Sequence, residues 1–515
     1  MNLPQVGRLM AGFVGFFTLA QVPPLLLSLT EPSGTYHTTA GFLASIVVGG
    51  IVAILLFTGG RAAQGQVFRK EAIAVAGLAW VVASLLGALP FRWSGLLPSA
   101  IDALFEAASG LTTTGATVLG SGGNCAVDAV PRSLLLWRAE TQWLGGLGIV
   151  LVFVSLLPAM GVTGKNLLAT ESVGVGSESY QPRAVAKART IVAIYVVLTI
   201  VCLLALRATG SFGWFDALCH SFTTLSTGGF ATRTSIRDFD SLAGELVLVA
   251  FMFLGGCSFS MLALHWRSGW RCIPALARTG EFRIYTLVTL LVVGACCLSL
   301  CRAGLPFGTA LREATFNSVS VLTSTGFATA NFQAWPALGT LALFAAMFVG
   351  GCSGSTAGGF KQIRLLVILK LLAYTIRHFI SPKSVERLKL DEEVLPAATI
   401  SSILAVVLLW FVAAIAGAAV VACDERLNFV AALSCSVSLL GSTGPALSLV
   451  DPAATQAALA GETVAMLAGT PDVGPFGGYG DLQGWTKLVL TFQMILGRLE
   501  LLTLLALFTP SFWRR

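Results

Sequence analysis

Four times in this sequence an apolar, helix-like approach runs into a short break in which Thr or Ser leads to Gly. The breaks read Thr113-Thr114-Gly115-Ala116, Ser226-Thr227-Gly228-Gly229, Ser324-Thr325-Gly326-Phe327 and Ser442-Thr443-Gly444-Pro445. They stand roughly a hundred residues apart, and a long regular period marks a molecule built from repeated structural units. The surroundings say what kind. Hydrophobic residues make up 55% of the 515-residue chain and charged residues 11%, with a mean hydropathy of +0.82. A soluble domain carries about 25% charge. The chain therefore reads as a polytopic membrane protein, and in membranes internal repeats with broken helices point to the substrate site.

Ten apolar stretches are candidate spans, centred near residues 18, 48, 80, 148, 198, 252, 292, 345, 408 and 497, since about 20 apolar residues cross a bilayer. Shorter stretches near 101–113, 213–226, 309–324 and 427–442 lead into the breaks and read as re-entrant helices. Most of the 32 basic residues fall at Arg8, in the loops near 59–71, 161–190, 265–283 and 361–392, and in the tail. Positive residues stay inside, so this side is expected to be cytoplasmic, with both termini there and the breaks facing outward. The net charge of +7 is accounted for by this topology and implies no nucleic-acid partner. The N-terminal apolar run is read as a retained helix, because no cleavage site of small residues separates it from the next.

The expected fold is all-α: four pseudo-repeated units of span, pore helix, filter and span around one pore, plus an N-terminal two-helix hairpin. The hairpin occupies 1–70 and the units 71–184, 185–279, 280–392 and 393–515, the last with an outward insert at 451–483. A second repeated element supports this division: Gln142-Trp143-Leu144-Gly145-Gly146, Met252-Phe253-Leu254-Gly255-Gly256, Met347-Phe348-Val349-Gly350-Gly351 and Met494-Ile495-Leu496-Gly497-Arg498. For glycines elsewhere, such as Gly417, close helix packing is the preferred reading.

Four unwound segments around one axis suit a cation. Unwound backbone at membrane depth needs a protected or water-lined place, and its carbonyls can replace an ion's hydration shell. Gly supplies backbone angles that other residues resist, and helix C-termini aimed at the centre add partial negative charge. The candidate filter is Thr113, Thr114, Gly115, Ser226, Thr227, Gly228, Ser324, Thr325, Gly326, Ser442, Thr443 and Gly444. No acidic cluster lies in the breaks, so carbonyl dipoles fit better than a carboxylate cage for a divalent ion.

A second unusual stretch interrupts the apolar run 337–376: Gly350-Gly351-Cys352-Ser353-Gly354-Ser355-Thr356-Ala357-Gly358-Gly359-Phe360-Lys361. Small residues make a poor helix, and this stretch reads as a flexible intramembrane gate. It lacks the Gly-Lys-Ser/Thr ending of a phosphate-binding loop. Arg498 lies inside the last span, where an ionisable residue is a functional candidate. The alternatives are a pore role or a structural ion pair with Glu500 or a neighbouring helix. Glu140, Glu106 and Asp216 either attract cations or brace helices. His37, His220, His265 and His378 are scattered, and the eleven Cys read as packing residues with no metal-ligand spacing. No nucleophile–base pattern supports an enzyme, and no tightly bound organic cofactor is expected.

These residues resemble the Trk/Ktr/HKT superfamily of potassium transporters, and within it the bacterial TrkH branch. The likeness lies in Asp102–Glu106 leading to Thr112–Thr117, in Gln142–Gly148, in Phe215-Asp216-Ala217 leading to Gly228-Gly229-Phe230, in the Gly350–Lys361 stretch, in Gly497-Arg498-Leu499-Glu500, and in the extra hairpin. The resemblance implies gated, selective uptake of K⁺ across a bacterial inner membrane, with filter glycines at Gly115, Gly228, Gly326 and Gly444. It implies that the Gly350–Gly359 loop gates, that Arg498 helps to hold it closed, and that a homodimer carries one pore per subunit. It also implies a cytoplasmic ring of nucleotide-binding regulatory subunits. The fourth break and the long insert depart from that branch's pattern. Na⁺- or H⁺-coupled symport is the rival within transport, and a membrane-embedded enzyme the rival outside it.

Overall fold

The computed structural model describes residues 2–32, 34–61, 69–155, 180–265, 277–382, 388–391, 393–450, 470–499, 501, 505 and 507–513. Part of the basic loops, residues 451–469 of the insert, and Glu500 lie outside them.

One sequence of elements occurs four times: a long apolar helix, a short helix, an extended break and a second helix. The long helices are Arg69–Trp93, Tyr180–Ala208, Gly280–Arg302 and Ala397–Val421. The short helices are Ala100–Leu111, Trp214–Leu225, Phe307–Leu322 and Phe429–Leu440. Local chemistry sets their starts. The Ser99 hydroxyl accepts from Asp102 N at 3.3 Å and the Asn428 side chain from Ala431 N at 2.9 Å, satisfying donors that a helix N-terminus leaves open. Each short helix ends on a residue turned into the left-handed region.

The second helices are where the structure departs from a simple count of ten spans. Six helices among the described residues are long and apolar enough to cross a membrane. In the first quarter the second helix, Arg132–Ser155, is continuous; in the fourth, Gly484–Arg498 is short. In the second quarter Leu242–Gly255 stops and resumes as Phe259–His265, and in the third Ala337–Val349 stops and resumes as Gln362–Ile380. The third interruption was legible in the sequence; the one at Gly256-Cys257-Ser258 was not. The N-terminal span is also divided, into Leu3–Leu19 and Val22–Ser28, with Pro23 and Pro24 in the first turn of the second piece.

The quarters close into a ring. Each second helix packs on the short helix of the following quarter: Arg132–Ser155 on Trp214–Leu225, Leu242–Gly255 on Phe307–Leu322, Ala337–Val349 on Phe429–Leu440, and Gly484–Arg498 back on Ala100–Leu111. Long apolar side chains such as Leu55, Leu290 and Leu408 point outward and are exposed, as lipid-facing residues are. Charges are turned inward and paired between quarters. Arg312 donates to both Glu245 oxygens at 2.7 and 2.8 Å, Arg237 meets Glu313 at 3.1 Å, and Lys487 pairs with Asp102.

Candidate functional site

The four breaks are one conformation written in four sequences. After each short helix a non-glycine residue takes a left-handed backbone: Thr113 at φ 52°, Thr227 at 52°, Ser324 at 54° and Ser442 at 55°. Glycine is usual at that position, so each side chain carries strain of about 1–3 kcal/mol. Two residues on, Gly115, Gly229, Gly326 and Gly444 have φ of 79°, 83°, 85° and 95°. Between them Thr114, Gly228, Thr325 and Thr443 donate their N–H to Ser109, Thr223, Ser320 and Ser438 carbonyls at 2.8–2.9 Å.

This geometry shifts the register in the second quarter. Gly229, not Gly228, is the counterpart of Gly115, Gly326 and Gly444, and Gly228 stands where the others have Thr. The reason lies outside the break. A Cβ on Gly228 would overlap the Gln142 side chain, whose Nε2 donates to Gly228 O at 2.6 Å. The sequence cannot distinguish two adjacent glycines until that neighbour is known.

The positive-φ glycines interlock around the ring. A Cβ on Gly115 would overlap Gly228 O, one on Gly229 would overlap Thr325 O, one on Gly326 would overlap Thr443 O, and one on Gly444 would overlap Thr114 O. Backbone from four quarters thus converges, in chain order, to mutual contact at one axis. On one side opens a cavity of about 260 Å³, lined by all four of these glycines together with residues such as Phe230, Phe327, Pro445 and Tyr479. On the other side lie the starts of the breaks, where Thr227 and Ser324 bond their hydroxyls to the preceding carbonyls at 2.7 Å. Thr113 Oγ1 and Ser442 Oγ are buried there with no hydrogen-bond partner among the described residues.

The repeated Gly marker explains how closely the helices approach. A Cβ on Gly145 or Gly497 would overlap the carbonyl of Leu111 or Leu440, the last residue of the same quarter's short helix, and Gly255 lies 3.3 Å from that of Leu225 by the same measure. The third quarter breaks this rule. Gly350 leaves the helix at φ 70° and packs on Gly358.

From there the Gly350–Lys361 loop crosses the face of the ring opposite the cavity and touches three quarters. Cys352 N donates to Gly256 O at 2.8 Å, and Phe259 N to Gly354 O at 3.1 Å, so the two interrupted helices pair their breaks. The Thr356 hydroxyl bonds to Leu225 O and Gly255 O at 2.9 and 3.0 Å. Gly358 N donates to Ser324 Oγ at 2.5 Å and Gly359 N to Gly441 O at 3.0 Å. Ser355 bonds within the loop to Cys352 O. Gly351, with Gly256 behind it, has no room for a side chain. Ser353 N is held by Glu281 Oε1 at 2.5 Å, a contact the sequence did not signal.

Arg498 is buried, and its Nη1 donates to Thr356 O at 2.6 Å, while Nε and Nη2 have no hydrogen-bond partner among the described residues. It lines a cavity of about 20 Å³ with Gly358, Gly359, Lys361, Arg364 and Trp410. Among the described residues, three basic side chains and no acidic one line that space. Lys361, at φ 78°, turns its ammonium back onto Ala357 O.

The remaining candidates brace the fold. Glu106 is buried, accepts from Arg138 Nε at 2.8 Å, and holds the Thr117 hydroxyl and Val118 N at 3.0 Å each. Asp216 takes the Thr232 hydroxyl at 2.6 Å. Asn317 and Ser434 hold Thr329 N and Leu447 N in the same way, tying each of these short helices to the strand beyond its break. Glu140 is half-buried, and its Oε2 has no hydrogen-bond partner among the described residues. His220 bonds to Asp216 O at 2.8 Å and packs among Phe212, Phe239 and Phe327. Among the described residues the cysteines are unpaired, and no group of three His, Cys, Asp or Glu is placed to hold a metal ion. Of the insert, residues 470–483 fold over the cavity, where the Tyr479 hydroxyl reaches Gly444 O at 2.7 Å.

Residues 40–469 match the model of a family of cation transport proteins, TrkH. The chain is 36% identical over 521 residues to the "Trk system potassium uptake protein TrkH" of Halomonas elongata, and 32% identical over 526 residues to that of Escherichia coli K12, with 100% of each chain covered in both cases. The crystal structure of the potassium transporter TrkH from Vibrio parahaemolyticus superposes with a TM-score of 0.85 at 28% identity, covering 100% of both chains.

Proposed function

The chain belongs to the TrkH family of cation transport proteins, and from that premise we infer how its interlocked ring carries potassium. Its function is potassium uptake, and its family is one of transporters, not enzymes. The observation that carries the mechanism is the cyclic contact of Gly115, Gly229, Gly326 and Gly444 with carbonyls of the next quarter. Carbonyl oxygens brought to one axis replace the water of a monovalent cation, and four helix C-termini add partial negative charge there. Residues 113–115, 226–229, 324–326 and 442–444 form the filter, with Gly229 taking the role first given to Gly228. Below it the hydroxyls of Thr113 and Ser442, which have no partner among the described residues, receive the ion as it leaves the carbonyls.

The Gly350–Lys361 loop is the gate. It lies across the inner end of the filter, and Arg498 holds it by Thr356 O while placing a positive charge beside the path. Opening withdraws Gly358 and Gly359 from Ser324 and Gly441. The gate side is cytoplasmic, both termini are on it, and the membrane is the bacterial inner membrane. The relatives' names place them in a Trk system. The corresponding assembly here is a homodimer with a nucleotide-binding regulatory ring docked on the basic inner face.

The test is uptake of radioactive rubidium into KCl-loaded liposomes with external K⁺, Na⁺ or Li⁺ as competitor. Block by K⁺ and not by Na⁺ supports the filter, and equal block by both counts against it. Gly115→Ser, which sets a side chain against Gly228 O, should lower uptake and weaken the preference for K⁺ over Na⁺ in the flux that remains; an unchanged ratio removes that position from the filter.

A further inference from the structure

The backbone of the ring repeats four times, but the side chains that hold it do not. Strands two and four face each other across the ring, because the quarters follow one another in order. Ser320 and Ser438 of the short helices bond to Phe327 O and Pro445 O at 2.6 and 2.7 Å, but among the described residues only strands two and four have, within the break, a carbonyl engaged by a side chain from beyond their own short helix and break. Gln142, from the second helix of the first quarter, donates through Nε2 to Gly228 O at 2.6 Å and accepts through Oε1 from Phe230 N at 3.1 Å. Tyr479, from the end of the insert, donates its hydroxyl to Gly444 O at 2.7 Å. Its ring is tilted on Phe105 with centroids 5.4 Å apart, and its N–H donates to Thr117 O at 2.9 Å. Both side chains are buried. In strands one and three the carbonyls of Thr114, Gly115, Thr325 and Gly326 accept from no described protein group.

We propose that Gln142 and Tyr479 are specificity-determining positioning residues, which fix the radius of two opposite filter strands so that an ion smaller than potassium cannot draw those carbonyls inward. The inference rests on reading the ring as the filter. A carbonyl oxygen has two lone pairs, so a clamped carbonyl keeps one for the ion. Contraction around sodium would require Gly228 O and Gly444 O to leave buried donors, which strands are slow to give up because an unpaired buried donor is costly. The unclamped carbonyls of strands one and three can tilt without displacing their strands, which lets an entering ion exchange water for carbonyls. Gly228 also follows from this reading, since any side chain there would displace the Gln142 amide.

Tyr479→Phe removes the hydroxyl and keeps the ring on Phe105. Gln142→Met keeps length and volume and loses both hydrogen bonds. The full-length protein in liposomes is assayed for K⁺ and Na⁺ flux. A single variant should raise the Na⁺/K⁺ permeability ratio about 3–10-fold, as expected for the loss of one hydrogen bond, and the double variant should raise it further, with K⁺ flux kept. A second readout does not need an open gate: the melting temperature of the detergent-purified protein in KCl against NaCl. The wild type should be stabilised more by K⁺, and the variants should lose that difference. Unchanged ratios and an unchanged K⁺–Na⁺ melting difference in both variants overturn the proposal. So does a fall in both fluxes together with a lower melting temperature in either salt, which would make the clamps merely structural. A wild type with no K⁺ preference in either assay overturns the filter reading itself, and the clamps with it.

Discussion

The ring of breaks and the loop beneath it are both unwound backbone inside a membrane protein, yet they are held in opposite ways. In the ring, backbone meets backbone. Every positive-φ glycine is backed by a carbonyl of the next quarter, and the strained Thr or Ser before it is fixed by the helix behind and the strand ahead. No strand can move without its neighbours. The loop has only the short Gly256–Ser258 break as a partial counterpart; apart from the close packing of Gly351 on Gly256 and of Gly358 on Gly441 O, individual hydrogen bonds to three quarters hold it. Each of those bonds can be exchanged for water. Mutual steric fit makes an element that must not change, whereas separable hydrogen bonds make one that can.

Substitutions should separate the two regions. The largest effect is expected at Gly229→Ala, where the φ of 83° and the overlap with Thr325 O combine strain of about 1–3 kcal/mol with a displaced strand; rubidium uptake should fall at least ~100-fold. Gly228→Ala should cost less, because only the Gln142 side chain stands in the way, and pairing it with Gln142→Ala should restore part of the flux. Equal loss at the two glycines would undo the register. Next, Arg498→Ala removes a charge-assisted hydrogen bond from the loop, worth about 1.5–3 kcal/mol. Rubidium uptake by the isolated protein should rise on the order of tenfold or more, and an unchanged rate would mean that Arg498 does not hold the loop. Ser324→Ala takes away the acceptor of Gly358 N together with the local bond to Thr323 O; only the first holds the loop, so a rise of about 2–5-fold is expected from one hydrogen bond. The smallest effect should come from outside both regions: Arg237→Ala, at a partly exposed pair, should lower stability by less than ~1 kcal/mol and leave flux unchanged.

What could be read from sequence was what is written locally. Four Thr/Ser-Gly breaks, four Gly markers and the small-residue run at 350–361 are short patterns, and all but the first marker, which lies inside Arg132–Ser155, stand at or beside a helix end in the structure. Arg498 stood out because a charge in an apolar run needs a reason. What could not be read depends on neighbours far along the chain. The choice between Gly228 and Gly229 is made by Gln142, and Tyr479 looks like any loop tyrosine until the insert folds back on Gly444. Glu106 and Asp216 looked like cation attractors or braces, and only their partners Arg138 and Thr232 distinguish the two. The interruption at Gly256 was hidden because it is three residues long and becomes stable only by pairing with the loop at Cys352 and Gly354.

Ring closure also governs how the molecule is made. Its last seam joins Gly484–Arg498 to Ala100–Leu111, sealed by Lys487 on Asp102, and unites the end of the chain with its first quarter. Contacts so distant in sequence form late. A nascent chain that has inserted three quarters has neither the fourth strand of carbonyls nor the helix that closes the wall. The ion path therefore comes into being only with Gly484–Arg498, and a ribosome that stalls earlier leaves behind a protein that cannot leak potassium through a finished pore.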